Sequence, residues 1–440
     1  APASSRLHIN ALSPLTGILG SSNIGGAFGV SLRRCNIQQL IIRGRASRPV
    51  YLWIDGDAIE IRNAKSLWGK DTWETEKLLK NRLGSEKLKI LAIGPAGEKE
   101  CRFGCIVTDR HHAAGRTGMG SVMGSKNLKA IVVKAPKSPV AFRPKNDTHE
   151  AIKHYLWQIK SSPEFKNMKA HGGAGYVDWA DELGILATRN YRDYHFEDTN
   201  RIDGKLLQEH ITRKRGCPRC PVQCKAHLRF STGRLKGKQA VRPEFEPMLA
   251  LGARCGLNDL QTLVHLDNLC TRLGMDSISA GTVIAFAMDL FERGILDQSD
   301  TDNLALRWGD AEAIDAAVRD GAKRAIVLGG GLVGVKAAHA LNTRGVETLF
   351  LDAGGVLLFP NWERVAAALT PLVVADARLI ADWLVANLND LEQVAEDHRW
   401  QQTLDLEQGW QRARQWEAAQ SPNPGNLQHL SFGKPWLPRG

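Results

Sequence analysis

The pattern of apolar and polar positions predicts strands in the first part of the chain. Short apolar runs rich in β-branched residues lie at residues 50–54 and 130–133, and such runs bounded by glycine and polar residues are typical of strands. Asp55-Gly56-Asp57 separates the run 50–54 from the alternating segment 59–61. An Asp-Gly turn between two such segments predicts a β-hairpin.

The pattern changes from about residue 148 to residue 319. Apolar residues now recur at intervals of three and four, most clearly at 260–273 and 278–290. That period indicates amphipathic helices, so the middle of the chain is predicted to be a helical layer.

A third pattern covers residues 324–352, which read as a strand, a glycine turn, the start of a helix and a second strand. Gly329, Gly331 and Gly334 suit a tight turn, close approach to a pyrophosphate and helix packing, and Asp352 falls near the distance expected for ribose hydroxyls. The segment therefore predicts the start of a βαβ unit that binds FAD or NAD.

Together these patterns predict an α+β fold in four parts. The parts are a two-layer β-rich domain at 1–142, a helical domain at 143–320, a Rossmann-like βαβ fragment at 321–360 and a helical tail at 361–440. A length of 440 residues and a hydrophobic fraction of 43% are ordinary for globular protein of this domain number. The longest apolar stretches fall short of the roughly 20 residues that a membrane span needs, and no signal peptide is recognised.

The net charge of +11 and the pI of about 9.3 raise the question of a polyanionic partner. Basic residues are mostly dispersed, with local clusters at 213–215 and 234–238. These clusters either offset an anionic group or form a solvated face. Because no aromatic residues accompany the charge, nucleic acid is not expected as a partner.

Three cysteines within eight residues, Cys217, Cys220 and Cys224, are the strongest chemical signal. The third cysteine and the two prolines of the run favour an iron–sulfur cluster over a zinc knuckle, which stays open as the alternative. Either centre needs a fourth ligand from elsewhere. Cys255 and Cys270 are interpreted as buried free thiols that could still reach the centre. Cysteines gathered at one centre favour a reducing cytoplasm.

A second signal is the glycine-rich segment 115–124, which holds four glycines. Its backbone amides can approach phosphates closely, and the guanidinium of Arg116 can bind them with two hydrogen bonds. A glycine-rich hairpin without a ligand is the alternative reading of the same composition.

This loop and the cysteine run resemble the tungsten-containing aldehyde ferredoxin oxidoreductase family, over about residues 11–310. Further short motifs agree with the family in order, at residues 13–17, 23–29, 68–70, 93–98, 243–246, 256–259, 273–279 and 307–309. By the same comparison the chain begins inside the first family domain and leaves the pattern after Gly309. Thr271 stands where the family's pterin motif has its first aspartate.

The resemblance implies a β domain that carries a tungsten or molybdenum bis-pterin, covered by helical domains that hold one [4Fe–4S] cluster. Family members oxidise small aldehydes to carboxylates and pass the electrons to ferredoxin or another electron-transfer protein, as homo- or hetero-oligomers. Glu246 matches a family glutamate beside the metal, where a carboxylate can orient water or take a proton. The implied ligands are Asn23, Gly25, Gly26, Arg116, Gly118, Gly120, Lys126, Met275 and Asp276 for the pterin and Cys217, Cys220 and Cys224 for the cluster.

The C-terminal part resembles other families. Residues 329–352 resemble the opening of a pyridine nucleotide-disulfide oxidoreductase, and residues 350–358 resemble the first motif of haloacid dehalogenase-like hydrolases, with Asp352 as nucleophile. A chimeric or inactive relative of the first family, or an FAD- or NAD-binding electron-transfer protein, is therefore the alternative prediction.

Overall fold

The computed structural model describes residues 2–136 and 148–324. Almost all of the predicted Rossmann-like fragment, with Gly329, Gly331, Gly334 and Asp352, lies outside the described residues. The predicted helical tail does so too. Among the described residues, no helix is both long and apolar enough to cross a membrane.

The N-terminal part is built on a mixed six-stranded sheet of order β4-β3-β8-β5-β6-β7 and a separate hairpin, β1-β2. Strand β3 runs parallel to β8, and the other neighbours are antiparallel. The predicted hairpin around Gly56 is confirmed, since β3 pairs with β4. The elements are β1 (Leu7–Leu12), β2 (Leu19–Ile24), α1 (Phe28–Arg34), β3 (Val50–Asp55), β4 (Ala58–Asn63), α2 (Thr72–Arg82), β5 (Lys89–Ile93), α3 (Pro95–Glu98), β6 (Ile106–Thr108), β7 (His112–Ala114), α4 (Met119–Ser125) and β8 (Leu128–Lys134).

Both faces of this sheet are covered, which corrects the prediction of a two-layer β domain. Alternate residues of β3 point to opposite faces: Leu52 and Ile54 pack with Phe28 of α1, whereas Tyr51 and Trp53 join a second core. That second core includes Leu79 of α2. The central strands therefore read as continuous apolar runs because neither face meets water.

A buried ion pair fixes the loops at one end of the sheet. The ammonium of Lys129 pairs with the carboxylate of Glu98, and it donates to the carbonyls of Lys70 and Ile93 at 2.7 Å. Glu98 also accepts a hydrogen bond from the amide of Gly69 at 2.7 Å. Two of the short family motifs, at 68–70 and 93–98, thus meet at one buried charge.

The second part is mainly helical, as predicted, and its core is a large apolar cluster that includes Leu263, Leu266 and Ile284. The two clearest predicted helices are confirmed as α10 and α11. The carboxylates of Asp259 and Asp276 cap their first turns. The helices are α5 (Thr148–Ser161), α6 (Glu164–His171), α7 (Val177–Glu182), α8 (Thr199–Ile202), α9 (Phe245–Pro247), α10 (Leu260–Leu273), α11 (Ser277–Glu292) and α12 (Ala311–Arg324).

The prediction missed a three-stranded antiparallel sheet, of order β11-β10-β9, within the helical part. Its strands are β9 (Ile211–Arg215), β10 (Lys225–Arg229) and β11 (Gln239–Val241). In β10 the buried residues Ala226 and Leu228 alternate with more exposed polar ones, which is a strand pattern. The cysteine run connects β9 to β10, so this small sheet positions it.

Candidate cofactor site

The glycine-rich loop lies between β7 and α4, and its glycines are required by close backbone approaches. Gly118 has φ +75° and precedes the first turn of α4, and a Cβ there would lie 2.1 Å from the carbonyl oxygen of Arg102. A Cβ on Gly120 would lie 2.5 Å from the carbonyl oxygen of Cys105. The start of α4 therefore packs directly on the backbone before β6, and only glycine fits at either position.

The same loop meets the first turn of α11. A guanidinium nitrogen of Arg116 is 3.8 Å from a carboxylate oxygen of Asp276, and that carboxylate accepts hydrogen bonds from the amide and hydroxyl of Ser279 at 2.9 and 2.6 Å. Met275 is buried and pairs with Gly104 in an isolated β-bridge. The structure thus brings together Arg116, Gly118, Gly120, Met275 and Asp276, which the sequence comparison had placed at the pterin.

The β1-β2 hairpin binds the other side of the loop. The hydroxyl of Ser22 donates to the carbonyl of Gly115 at 2.6 Å, and the hydroxyl of Ser13 donates to the carbonyl of Thr117 at 2.8 Å. Asn23, the next residue of β2, pairs with the guanidinium of Arg6 and lies 2.7 Å from a ring nitrogen of His8.

Gly25 and Gly26 connect this hairpin to the cysteine run. The amide of Gly26 donates to the thiol sulfur of Cys217 at 3.2 Å. A Cβ on Gly25 would lie 3.0 Å from that sulfur, from a guanidinium nitrogen of Arg6 and from Nδ1 of His112. A side chain at Gly25 would therefore press on the first cysteine, whereas a Cβ on Gly26 would meet the carboxylate of Asp109 at 2.8 Å and the ring of His112 at 2.9 Å.

The three cysteines of the run are half-buried on one loop. Burial raises the pKa of Cys224, and the neighbouring Glu244, Cys217 and Cys220 act in the same direction. Arg219 and Gln223 adopt positive φ of 60° and 52°. Within the described parts of the chain, no group of three or more His, Cys, Asp or Glu side chains is arranged to hold a single metal ion.

The end of the loop is held by a buried guanidinium and a partly buried ion pair. The guanidinium of Arg242 donates to the carbonyl of Cys224 at 2.6 Å and to that of Ala170 at 2.8 Å. The ammonium of Lys225 lies 2.6 Å from a carboxylate oxygen of Glu244. Burial alone would raise the pKa of Glu244, but Lys225 holds it below its usual range.

Asp267 of α10 belongs to the same polar cluster. Burial raises its pKa to about 6, the charge of Lys225 opposes this shift, and the charges of Glu244 and Asp276 add to it. Asp267 is therefore close enough to interact electrostatically with the Lys225–Glu244 ion pair at the cysteine loop and with Asp276, which caps α11.

Two adjacent histidines complete the site: His111 precedes β7, and His112 is its first residue. Burial, followed by the positive charge of Lys225, lowers the pKa of His112 to about 4, and burial lowers that of His111 well below its usual range. Nδ1 of His111 is buried without a hydrogen-bond partner among the described residues. Both imidazoles line a cavity of about 500 Å³ whose wall includes Gly216 and Pro218.

Other predicted residues lie elsewhere. Lys126 is at the far end of α4, and its ammonium donates to the carbonyl of Gly44 at 3.1 Å. Glu246 lies in α9 and is exposed. Cys255 and Cys270 are buried free thiols, as interpreted, and the sulfur of Cys255 is hydrogen-bonded to backbone carbonyls of the helical core.

Sequence reasoning missed Arg6, His112, Lys225, Glu244 and Asp267. Two of them had a local signal, because Lys225 follows the last cysteine directly and Glu244 lies two residues before Glu246. Arg6 and Asp267 join the site only through the folding of β1 and α10, and no local pattern distinguishes them.

The chain matches two family profiles. Residues 1–135 match one described as "Aldehyde ferredoxin oxidoreductase, N-terminal domain", and residues 150–345 match "Aldehyde ferredoxin oxidoreductase, domains 2 & 3". The chain belongs to the aldehyde ferredoxin oxidoreductase family.

Individual proteins show the same similarity. The tungsten-containing aldehyde ferredoxin oxidoreductase of Pyrococcus furiosus is 36% identical over 331 residues, covering 74% of this chain and 53% of that protein. An "Aliphatic sulfonate oxidoreductase, WOR-like subunit" of the same organism is 31% identical, covering 68% of this chain and 49% of that protein.

A solved structure, the active site complex BamBC of benzoyl coenzyme A reductase in complex with 1,5-dienoyl-CoA, is similar with a TM-score of 0.62. Its identity is 25%, and the match covers 78% of this chain and 53% of that chain. This chain therefore spans about half the length of the relatives it matches. The comparisons do not support the FAD or NAD prediction for Gly329, Gly331, Gly334 and Asp352, and the second profile extends through residue 345.

Proposed function

We propose that this chain supplies the pterin-binding and cluster-binding part of a tungsten- or molybdenum-dependent oxidoreductase that converts aldehydes to carboxylates. One observation carries the proposal. The loop that contains Arg116 contacts Asp276 on one side and the β1-β2 hairpin on the other, and the hairpin leads directly to the contact between Gly26 and Cys217. A pterin-type phosphate site and a thiolate site are thus connected through a few residues.

The residues fit the two groups. A phosphate-bearing pterin needs a guanidinium on a loop of fixed conformation, and Arg116 provides it. Gly118 and Gly120, whose amides donate to the carbonyls of Arg116 and Gly104, allow the close packing of α4 that fixes this loop. Cys217, Cys220 and Cys224 are three thiols on one loop, with Cys224 held by Arg242, and thiolates are the ligands of iron–sulfur clusters. Asn23, Gly25, Gly26, Met275 and Asp276 complete the lining of the proposed pterin site.

When bound, the metal pterin supplies two-electron chemistry and the cluster carries the electrons away singly. Oxidation of an aldehyde with water to a carboxylate releases two electrons and three protons. Glu246, the proposed catalytic carboxylate, would orient the water or take a proton. Lys225 and Arg242 hold the cysteine loop in place and add positive charge beside an anionic cluster.

A small aldehyde is the proposed substrate, and ferredoxin or a similar one-electron carrier is the proposed acceptor. Support comes from the names of the relatives, together with the proximity of the thiol loop to the glycine loop. The relatives are about twice as long as the region that matches this chain. We therefore also propose that the remaining part of the enzyme is supplied by further sequence or by another subunit.

The test is metal and acid-labile sulfide analysis of anaerobically purified protein, with tungsten, molybdenum, iron and zinc counted per chain. We expect tungsten or molybdenum and about four irons with matching sulfide. Cys220→Ser should lose the iron, whereas the matched control Cys35→Ser, which removes a buried thiol of the β domain, should keep it. Zinc alone, or iron unchanged in Cys220→Ser, would contradict the proposed site.

A further inference from the structure

One face of the small sheet carries unbalanced positive charge. In β9 and β10, Arg213 and Arg215 share a face with Arg229, because Arg213 and Arg215 pair with residues 227 and 225 and successive side chains alternate between faces. Ala226 and Leu228 point the other way and are buried. We call the side that carries these three exposed arginines the basic face.

Acidic side chains do not pair with these arginines in the described part of the chain. In the described parts of the chain, none of Arg213, Arg215 and Arg229 forms an ion pair with a carboxylate. Lys214, on the opposite face, is different, because its ammonium donates to the carbonyl of Lys169 at 2.7 Å. The basic face therefore holds three solvated guanidinium groups that are available to an external anion.

The carboxylates near the basic face are paired with lysines instead of with its arginines. The cavity beside the basic face is lined by Arg215 and by Glu76, Glu86 and Asp109. Glu76 lies 2.6 Å from Lys80, Glu86 lies 3.9 Å from the same ammonium, and Asp109 lies 3.0 Å from Lys89. These acids do not neutralise the arginines.

The basic face lies next to the cysteine loop. Strand β9 is an edge strand, and Arg215 is separated from Cys217 by one residue, Gly216, which is exposed. His227 lines the cavity beside the cysteine loop. Burial lowers its pKa, and the charges of Arg215 and Arg213 lower it further. A protein bound here would lie against the thiol loop.

We propose that the basic face is the docking surface for an acidic one-electron carrier protein, whose surface carboxylates pair with Arg213, Arg215 and Arg229. This inference rests on the proposed function. A cluster held by Cys217, Cys220 and Cys224 would give one electron to the carrier in each encounter, so the two electrons from one aldehyde would require two encounters. Complementary charge of this kind accelerates association and sets the orientation of the complex.

A nucleic acid is the other polyanion that such a face could bind, but the structure favours a protein. Single-stranded nucleic acids bind where aromatic side chains stack with bases between basic groups. Phe230, which follows Arg229, is buried, with 2% of its surface exposed. The basic face thus offers charge without a stacking platform.

The experiment is calorimetric titration of the full chain with an acidic [4Fe–4S] ferredoxin as the probe, at low and at high ionic strength. The variant is Arg213→Glu/Arg215→Glu. The matched control is Arg43→Glu/Arg45→Glu, because these two arginines are also exposed, lie between α1 and β3, and their replacement changes the net charge by the same amount. We expect the affinity to fall at least about tenfold in the first variant only, and the wild-type affinity to fall with salt.

Equal losses in both variants, or no measurable binding to the wild-type chain, would overturn the inference. A loss of binding to single-stranded RNA that matches the loss of binding to ferredoxin would also overturn it, since the surface would then recognise any polyanion. Circular dichroism checks that the variants are folded. Metal content reports on the proposed function separately, so a failure of the docking surface is distinguished from a failure of the proposed function.

Discussion

The ammonium of Lys225 lies 2.6 Å from a carboxylate oxygen of Glu244, immediately after the last cysteine of the cysteine run. The side chains are 14% and 29% exposed. Glu244 also accepts a hydrogen bond from the amide of Gly173 at 3.1 Å. The pair therefore joins the cysteine loop to the residue before α9 and to the turn that follows α6.

Replacing Lys225 with Met should destabilise the protein. Glu244 would keep its charge in a partly buried place without its cation, so the cost lies between about 1 kcal/mol, as for an exposed ion pair, and about 3–5 kcal/mol, as for a fully buried one. The measurement is the free energy of unfolding from denaturant titration.

The double variant Lys225→Met/Glu244→Gln is the informative partner, because it removes both charges. It should recover most of the loss. If the double variant is as unstable as the single one, the contribution of Lys225 is packing rather than charge.

Glu246 provides a contrast with Glu244 two residues earlier. Glu246 is exposed, so Glu246→Gln should leave the free energy of unfolding within about 0.5 kcal/mol of wild type. If Glu246 has the proposed catalytic role, the same variant keeps its metal content and loses aldehyde turnover. Unchanged turnover in the metal-loaded enzyme would remove Glu246 from the mechanism.

Gly118→Ala should disrupt the glycine loop. The added Cβ would meet the carbonyl oxygen of Arg102 at 2.1 Å, in a residue that already has φ +75°. Gly84 is a matched control, since it has φ +65° and no atom within 4 Å of an added Cβ. Gly84→Ala should cost about 1 kcal/mol from backbone strain alone, and thermal unfolding should show Gly118→Ala to be several degrees less stable than Gly84→Ala.

Much of the fold could be predicted because its local patterns agree with its packing. The runs that form β3 and β8 are apolar on both faces, and the helical period of α10 ends at Gly274, which has the left-handed conformation typical of a helix end. The layer count could not be predicted, since α1 and α2 reach opposite sides of the sheet only through long-range contacts. The small sheet was missed because its strands are three to five residues long.

The candidate site divides in the same way. Cys217, Arg116 and Gly118 could be proposed from the sequence because the spacing or composition around them is unusual along the chain. Asp267 was not found, because it lies on an ordinary amphipathic helix and becomes unusual only when α10 packs near Lys225 and Glu244. Its burial is a property of the assembled fold and not of the sequence around it.

His112 and Asp267 should give opposite pH dependences of stability. His112 has its pKa lowered to about 4 from 6.5, so the unfolded chain takes up the proton first and the folded state loses stability as the pH falls from 6.5 to 4. Asp267 has its pKa raised to about 6 from 3.8, so the folded state loses stability as the pH rises from 3.8 to 6. Each effect amounts to at most roughly 3 kcal/mol.

Single substitutions separate the two effects. The stability of His112→Gln relative to wild type should increase progressively as the pH falls below 6.5. The stability of Asp267→Asn relative to wild type should increase as the pH rises toward 6, and the difference between these two proteins should stay constant above pH 6. The measurement is the free energy of unfolding of the three proteins at intervals from pH 4 to pH 8. If Asp267→Asn instead runs parallel to wild type over this range, Asp267 is ionised in the folded protein as readily as in the unfolded chain, and the buried polar cluster beside the cysteine loop does not include it.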